Sequence, residues 1–244
     1  SFTNVISSLS GQGTLKLASV NFPATSANSF VLSGGGTTEY NNASDFILPA
    51  SQATYNNLTL NAPGISATQL SDLTLNGNLY VKSGTFQINE HSSTVTLNLT
   101  INRDVTVDNG AYITVGRGIT NPAIAAVSVG GVAPFINYYT YFHTVIIEGD
   151  FVNHGTVRFT NLEYPIYNSF PPTIPGPTTG AASVYFQGTN NNVLTCDGFT
   201  DFYNLILDKG TDQSYSLTVH ATVNTNFRLF GANTMGTEAA VTAN

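Results

Sequence analysis

Leu73-Thr74-Leu75-Asn76-Gly77-Asn78-Leu79-Tyr80-Val81-Lys82-Ser83-Gly84 returns 26 residues later as Leu99-Thr100-Ile101-Asn102-Arg103-Asp104-Val105-Thr106-Val107-Asp108-Asn109-Gly110. Each copy sets aliphatic side chains at alternate positions on either side of a short polar bend and closes on glycine. A period of two marks a strand with one face buried, and Asn, Asp and Gly between two such runs mark a turn. The unit therefore reads strand, bend, strand, turn. A third copy, Val145, Ile147 and Phe151, carries the bend Glu148-Gly149-Asp150 and then Asn153-His154-Gly155, its glycine one residue early. A fourth, Leu217, Val219 and Val223, has lost the glycine.

A second, longer repeat overlies the first. Tyr55-Asn56-Asn57-Leu58-Thr59-Leu60 returns after 147 residues as Phe202-Tyr203-Asn204-Leu205-Ile206-Leu207, and Glu39-Tyr40-Asn41-Asn42 parallels Tyr185-Phe186-Gln187-Gly188. The chain accordingly divides into the end of a preceding module (1–33), one whole module (34–183) and the start of the next (184–244). Two stretches interrupt the middle module, at 117–143 and at 161–183; the second holds half of the ten prolines, which cannot donate to a central ladder and so belong on the surface.

Short strand pairs recurring every 20 to 26 residues suit a solenoid in which each coil lays its strands parallel on the last. The expected fold is all-β, a right-handed parallel β-helix with surface insertions, of about ten coils and near 50 Å in length; β-sandwich modules are the alternative.

Composition agrees with this reading. Of 244 residues only 9% are charged, while 33 are Thr, 27 Asn and 22 Gly. Asn, Thr and Gly are poor helix formers. Along a solenoid, equivalent residues lie about 4.8 Å apart, so like charges would repel where Asn, Thr and aliphatic residues stack on their own kind. A 41% hydrophobic share supplies a core and argues against disorder. With net charge −7 and no basic cluster, nucleic acid is not an expected partner. No apolar run reaches membrane length, and the first residues lack a signal peptide, so the chain is expected to be processed or an excerpt. The lone Cys196 excludes an internal disulfide and is expected to be a buried, inert thiol.

Gly34-Gly35-Gly36-Thr37-Thr38-Glu39-Tyr40, Tyr55-Asn56-Asn57-Leu58, Leu75-Asn76-Gly77-Asn78-Leu79, Gly149-Asp150-Phe151-Val152-Asn153-His154-Gly155-Thr156, Val184-Tyr185-Phe186-Gln187-Gly188 and Phe202-Tyr203-Asn204-Leu205, in that order, span most of residues 34 to 210. In them the chain resembles the long repetitive surface adhesins of Bacteroidetes exported by the type IX secretion system, gliding-motility adhesins among them. The resemblance implies an extracellular, cell-surface location and a role in attachment or gliding. Its partners would be neighbouring repeats of the parent chain, an extracellular glycan or solid surface, and secretion or anchoring proteins. The C-terminal sorting domain expected of such a parent is not in this sequence, and the 117–143 insertion is longer than the module leads one to expect.

Chemistry at a point has little support in the residues. Parallel β-helices also carry polysaccharide lyases and hydrolases, so a carbohydrate-active enzyme is the alternative function. Its candidate carboxylates, Asp104 with Asp108 or Glu148 with Asp150, fall in bends and before the turn dipeptide Asn109-Gly110, and seven basic residues are few for an anionic sugar. A non-catalytic role is expected. Glu148 and Asp150 are also weak candidates for Ca²⁺, which takes six to eight oxygens. His91, His143, His154 and His220 show no zinc spacing, and no serine sits in a nucleophile elbow. Ligand contact falls instead to Tyr138, Tyr139, Tyr141 and Phe142, whose rings offer apolar faces and hydroxyls to sugars or hydrophobic surfaces.

Overall fold

Alternating side chains and Asn- or Gly-bearing bends turn almost every ordered stretch into a short strand. The computed structural model describes residues 5–90, 95–116, 125–127, 135–137, 143–160, 181–229 and 241–243. In chain order the strands are β1 (Thr14–Leu17), β2 (Thr37–Tyr40), β3 (Phe46–Ile47), β4 (Thr54–Tyr55), β5 (Asn57–Gln69), β6 (Leu73–Leu75) and β7 (Leu79–Ile88). They continue with β8 (Asn98–Ile101), β9 (Val105–Val107), β10 (Tyr112–Val115), β11 (Ala125–Val127), β12 (Phe135–Asn137), β13 (His143–Ile147), β14 (Phe151–Asn153) and β15 (Thr156–Arg158). The last are β16 (Ala182–Gly188), β17 (Asn192–Cys196), β18 (Phe199–Phe202), β19 (Asn204–Lys209), β20 (Leu217–Ala221), β21 (Phe227–Leu229) and β22 (Val241–Ala243). The protein is all-β, and among the described residues its helix is confined to one short turn, Asn224–Asn226.

Parallel pairing builds a 13-stranded and a 7-stranded sheet. They resolve into three stacks. Stack A runs β1, β2, the first half of β5, the first half of β7, β9, β14, β17, β20. Stack B runs β3, the second halves of β5 and β7, β10, β15, β18, β21. Because β5 and β7 pass through both, A and B form the larger sheet; stack C is the smaller one, β4, β6, β8, β13, β16, β19, β22. From β4 onward the chain visits C, A and B in rotation. The antiparallel pair β11–β12 lies within the first insertion.

The 26-residue repeat is a register. Leu73 pairs with Leu99 and Leu75 with Ile101 in stack C, and Leu79 with Val105 and Val81 with Val107 in stack A. The third copy follows: Val145 pairs with Leu99, Ile147 with Ile101, Phe151 with Val105. All are buried, as are the aromatic residues that continue the interior, Phe159, Phe186 and Phe202. Phe159 stacks on Phe202 at 5.5 Å, and Tyr40 and Tyr55 join hydroxyl to hydroxyl at 3.0 Å.

Three sequence expectations need correcting. Leu217 and Val219 do not stand where Val145 and Ile147 stand; Val219 pairs with Leu194, in stack A, because the stack C strand of that layer is β19. The two copies related by 147 residues also occupy different faces: Leu58 pairs with Leu79 in stack A, Leu205 with Val184 in stack C. What they share is a local device, an Asn at a corner bonded to a hydroxyl one layer back: Asn57 Nδ2 donates to Thr37 Oγ1 and Asn204 Nδ2 to Ser183 Oγ. Finally, among the described residues the longest stack holds eight strands, about 34 Å, rather than ten coils. The insertions consume the difference, since Asp150 bonds to Asp104, 46 residues away, and Val193 to Asp150, 43 away.

The glycine that closes each unit does not end it. Gly84 lies inside β7 at φ +85, where a Cβ would stand 2.3 Å from the Ala62 carbonyl oxygen. It bends the chain from stack A into a third strand in stack B.

Candidate functional site

Where inward positions are apolar, the outward ones carry whatever the molecule shows to its surroundings. At the C-to-A corner this is a ladder of side-chain caps. Asn57 Oδ1 accepts the Asn78 N–H at 2.9 Å, Asn78 Oδ1 the Asp104 N–H at 3.0 Å, Asp104 Oδ1 the Asp150 N–H at 2.9 Å, and Asp150 Oδ1 the Val193 N–H at 2.9 Å. Each side chain satisfies the next layer's backbone donor, which would otherwise be left without a strand partner at the bend.

Asp104 and Asp150 are therefore rungs of this ladder. Glu148 is exposed at the end of β13, and Asp108 accepts the Tyr80 hydroxyl at 2.5 Å, which raises the Tyr80 pKa. Asp104, Glu148 and Asp150 share the C-to-A corner in two adjacent layers, where Asp104 and Asp150 serve as backbone caps, and Asp108 lies at the A-to-B corner of the Asp104 layer. Tyr138, Tyr139, Tyr141 and Phe142 lie outside the described residues, as does His91. His143 is fully buried and accepts the Leu97 N–H at Nδ1, 3.0 Å; His154 pairs with Asp197 at 2.9 Å; His220 is exposed on stack A. Cys196 is buried and free, and burial pushes its thiol pKa up. Among the described residues no three His, Cys, Asp or Glu side chains group as metal ligands, and no helix is long and apolar enough to cross a membrane.

The outer surface of stack B gathers what the other faces disperse. Its register places Tyr112, Thr156 and Phe199 in one outward row, and Thr114, Arg158, Asp201 and Arg228 in the next. Tyr112 is 44% exposed and Phe199 49%. Two ladder steps separate them, roughly 9.6 Å on a nearly flat sheet, with Thr156 between. Asp201 is fully buried beneath two arginines: Arg158 Nε reaches Oδ2 at 3.1 Å, while Arg228 grips both oxygens, Nε to Oδ1 at 2.6 Å and Nη2 to Oδ2 at 2.9 Å. The Arg228 guanidinium also lies 5.1 Å above the Phe199 ring centroid.

Two arginines against one aspartate leave a positive excess at this spot on a chain of net charge −7. Arg158 engages Asp201 through Nε, and its side chain stays 42% exposed beside the aromatic row. Flat rings flanking hydrogen-bond donors suit a sugar, whose ring faces are apolar and whose edges are polar. Parity and spacing could have exposed this group in the sequence, since Arg158, Asp201 and Arg228 all fall at outward positions. The intervening insertions hid the register.

No protein-family model matches the chain, and neither a curated protein nor a solved structure does.

Proposed function

We propose that this chain is a non-catalytic repeat segment of a large secreted cell-surface adhesin, folded as a right-handed parallel β-helix, and that the outer face of stack B is its contact surface for an extended extracellular glycan. The observation that carries the contact surface is the exposed row Tyr112, Thr156, Phe199 beside Arg158, Asp201 and Arg228. Rings two layers apart stack on alternate units of a polysaccharide lying along the molecule, and Arg158 takes a carboxylate or hydroxyl at its edge. The three-fold rotation of the chain through parallel stacks supports the β-helix. The motifs shared with type IX-exported adhesins of Bacteroidetes support attachment or gliding as the parent's role, with neighbouring repeats and anchoring proteins as partners. Tyr138, Tyr139, Tyr141 and Phe142 remain proposed as a second contact element.

Weak binding spread over area suits this surface better than catalysis. Asp201, the carboxylate nearest the row, is held by two arginines and offers no free oxygen at the surface. The test pairs Tyr112→Ser with Phe199→Ser, both at exposed positions, and adds Arg158→Gln. Loss of retention on acidic-polysaccharide beads, with unchanged urea unfolding, is the expected result. Unchanged retention in the triple variant refutes the contact surface, and release of oligosaccharides from any polysaccharide by the purified chain refutes the non-catalytic reading in favour of a carbohydrate-active enzyme.

A further inference from the structure

A lysine stands where the core pattern calls for an aliphatic residue. In β19 the inward positions are Leu205, Leu207 and Lys209, and Lys209 is 4% exposed. Opposite it, Asn192 opens β17 on the inward side and is 5% exposed. Lys209 Nζ is in direct contact with Asn192 Oδ1, and it donates to the Gln187 carbonyl oxygen at 3.0 Å. Both partners are neutral, and among the described residues no carboxylate lies within hydrogen-bond reach of this ammonium. Burial lowers the Lys209 pKa, and the more distant charges of Asp150 and Glu148 offset it only in part. On the far side of the amide, Asn192 Nδ2 lies 3.4 Å from Asp150 Oδ1, the oxygen that also caps Val193.

An amine, a carboxamide and a carboxylate thus converge in that order inside the protein. We propose that Lys209 and Asn192 close an intramolecular isopeptide bond, with Asp150 as the catalytic carboxylate. Nζ, in its uncharged form, attacks Asn192 Cγ; once bonded there it stands beside Nδ2, on the side that Asp150 faces, and Asp150 takes the proton that Nζ sheds and gives it to Nδ2. The Cγ–Nδ2 bond breaks, the Nζ–Cγ amide forms, and one ammonia leaves. No oxidant, cofactor or second substrate enters. A desolvated lysine is the activated form of this nucleophile, and holding amine and amide in contact supplies the effective concentration that the same reaction lacks between free side chains.

The product joins β19 of stack C to β17 of stack A, closing residues 192–209 into a covalent ring that holds all of β18. Tension along the chain would bypass that ring, so one layer could not be drawn out. The inference stands on the interior contact and is independent of the glycan surface.

Intact-mass spectrometry of the purified 244-residue chain tests it. The expected mass is the sequence mass less one ammonia, and chain cleavage beside Tyr203, between the two residues, leaves both halves joined. Lys209→Met, which suits the apolar surroundings, and Asp150→Asn, which keeps an oxygen for the Val193 cap, are expected to fold and to show the full sequence mass. A folded wild-type chain at full sequence mass overturns the proposal. So does an ammonia loss that maps to succinimide at Asn76-Gly77 or Asn109-Gly110 with residues 192 and 209 in separate peptides. Cross-linking in Asp150→Asn at the wild-type extent overturns the role given to Asp150.

Discussion

Placing two lysines in register should expose the constraint that keeps charge out of this chain. Thr74 and Thr100 are partners in stack C, both half-buried and outward, so lysines there would begin from backbones about 4.8 Å apart. Two unit charges at that separation repel by about 0.9 kcal/mol in water and by about 3.5 kcal/mol at an effective dielectric of 20. Long side chains splay toward solvent, which moves the expectation to about 1 kcal/mol at low ionic strength. The assay is a double-mutant cycle on Thr74→Lys and Thr100→Lys, read by urea unfolding because guanidinium would screen the charges. In about 0.01 M salt the double variant should fall below the sum of the singles by that amount, and in about 1 M salt the deficit should vanish as the Debye length contracts to about 3 Å. Glu at 74 with Lys at 100 should reverse the sign, as cross-strand opposite charges do. Thr74→Lys with Thr114→Lys, on different stacks, should show no coupling. A Lys–Lys coupling below about 0.3 kcal/mol, the usual scatter of additivity, or an equal coupling in the off-register pair, refutes the explanation of the 9% charge by stacking.

Gly155→Ala should cost far more than Gly110→Ala in calorimetric stability. A Cβ at 155 meets the Ala111 carbonyl oxygen at 2.3 Å and the Asp108 carbonyl at 2.5 Å, whereas at 110 it meets open space and costs only the strain of φ +80, about 1 kcal/mol. Asp201→Asn should lower stability by about 2 kcal/mol in urea unfolding, less than a fully buried pair because Arg158 and Arg228 are each about two-fifths exposed. Alkaline pH should unfold the protein through Tyr40 and Tyr55. Burial pushes Tyr40 up to about 12 and Tyr55 further in the same direction. The unfolded chain therefore loses phenol protons first, so the stabilisation is complete below about pH 10 and declines above it, by roughly 3 kcal/mol for Tyr40 across the interval. Tyr40→Phe with Tyr55→Phe should flatten that decline in pH-dependent unfolding, and an unchanged slope would assign it to other groups.

Residues 73–107 were legible because their layers carry no insertion: period-two alternation fixed which residues point inward, and the constant spacing fixed which of them pair. Past Val115 the spacing fails, and with it the means to align layers by eye. Leu217 and Val219 look like Leu73 and Leu75 in isolation, since every inward pair in a solenoid looks alike; only the tertiary register puts them in stack A. The third strand of each layer escaped notice because Gly84 and Gly110 resemble turn glycines, although Gly84 stays within a strand and supplies the bend where a side chain would strike a carbonyl. The Arg158–Asp201–Arg228 group and the Lys209–Asn192 contact unite residues 17 to 43 apart in sequence, and neither forms a motif. Their signal was a charge at a position whose parity or burial is unusual, which has meaning only once the layers are aligned.

The three corners of the proposed helix differ in what they permit, and the difference follows from how each is closed. At the A-to-B corner glycines lie against the backbone of the layer before: Gly155 on the Ala111 carbonyl, and Gly198 on Gly155 itself, where an added Cβ would stand 1.8 Å from the carbonyl oxygen. An inserted residue there has no space and would lift the next layer off its ladder. At the C-to-A corner the Asn and Asp caps hold bends of equal length as far as the start of β17, and only the last described connection, from Lys209 to Leu217, is longer. The B-to-C corner has no such continuous ladder of caps among the described residues. The segments 117–142, 161–180 and 230–240 each leave the end of stack B and return at the start of stack C. The longest connections thus all run from stack B, whose face carries Tyr112, Phe199 and Arg158, to stack C. A chain that must repeat to stack and vary to bind can do both only if its rigid corners and its tolerant corner are different corners.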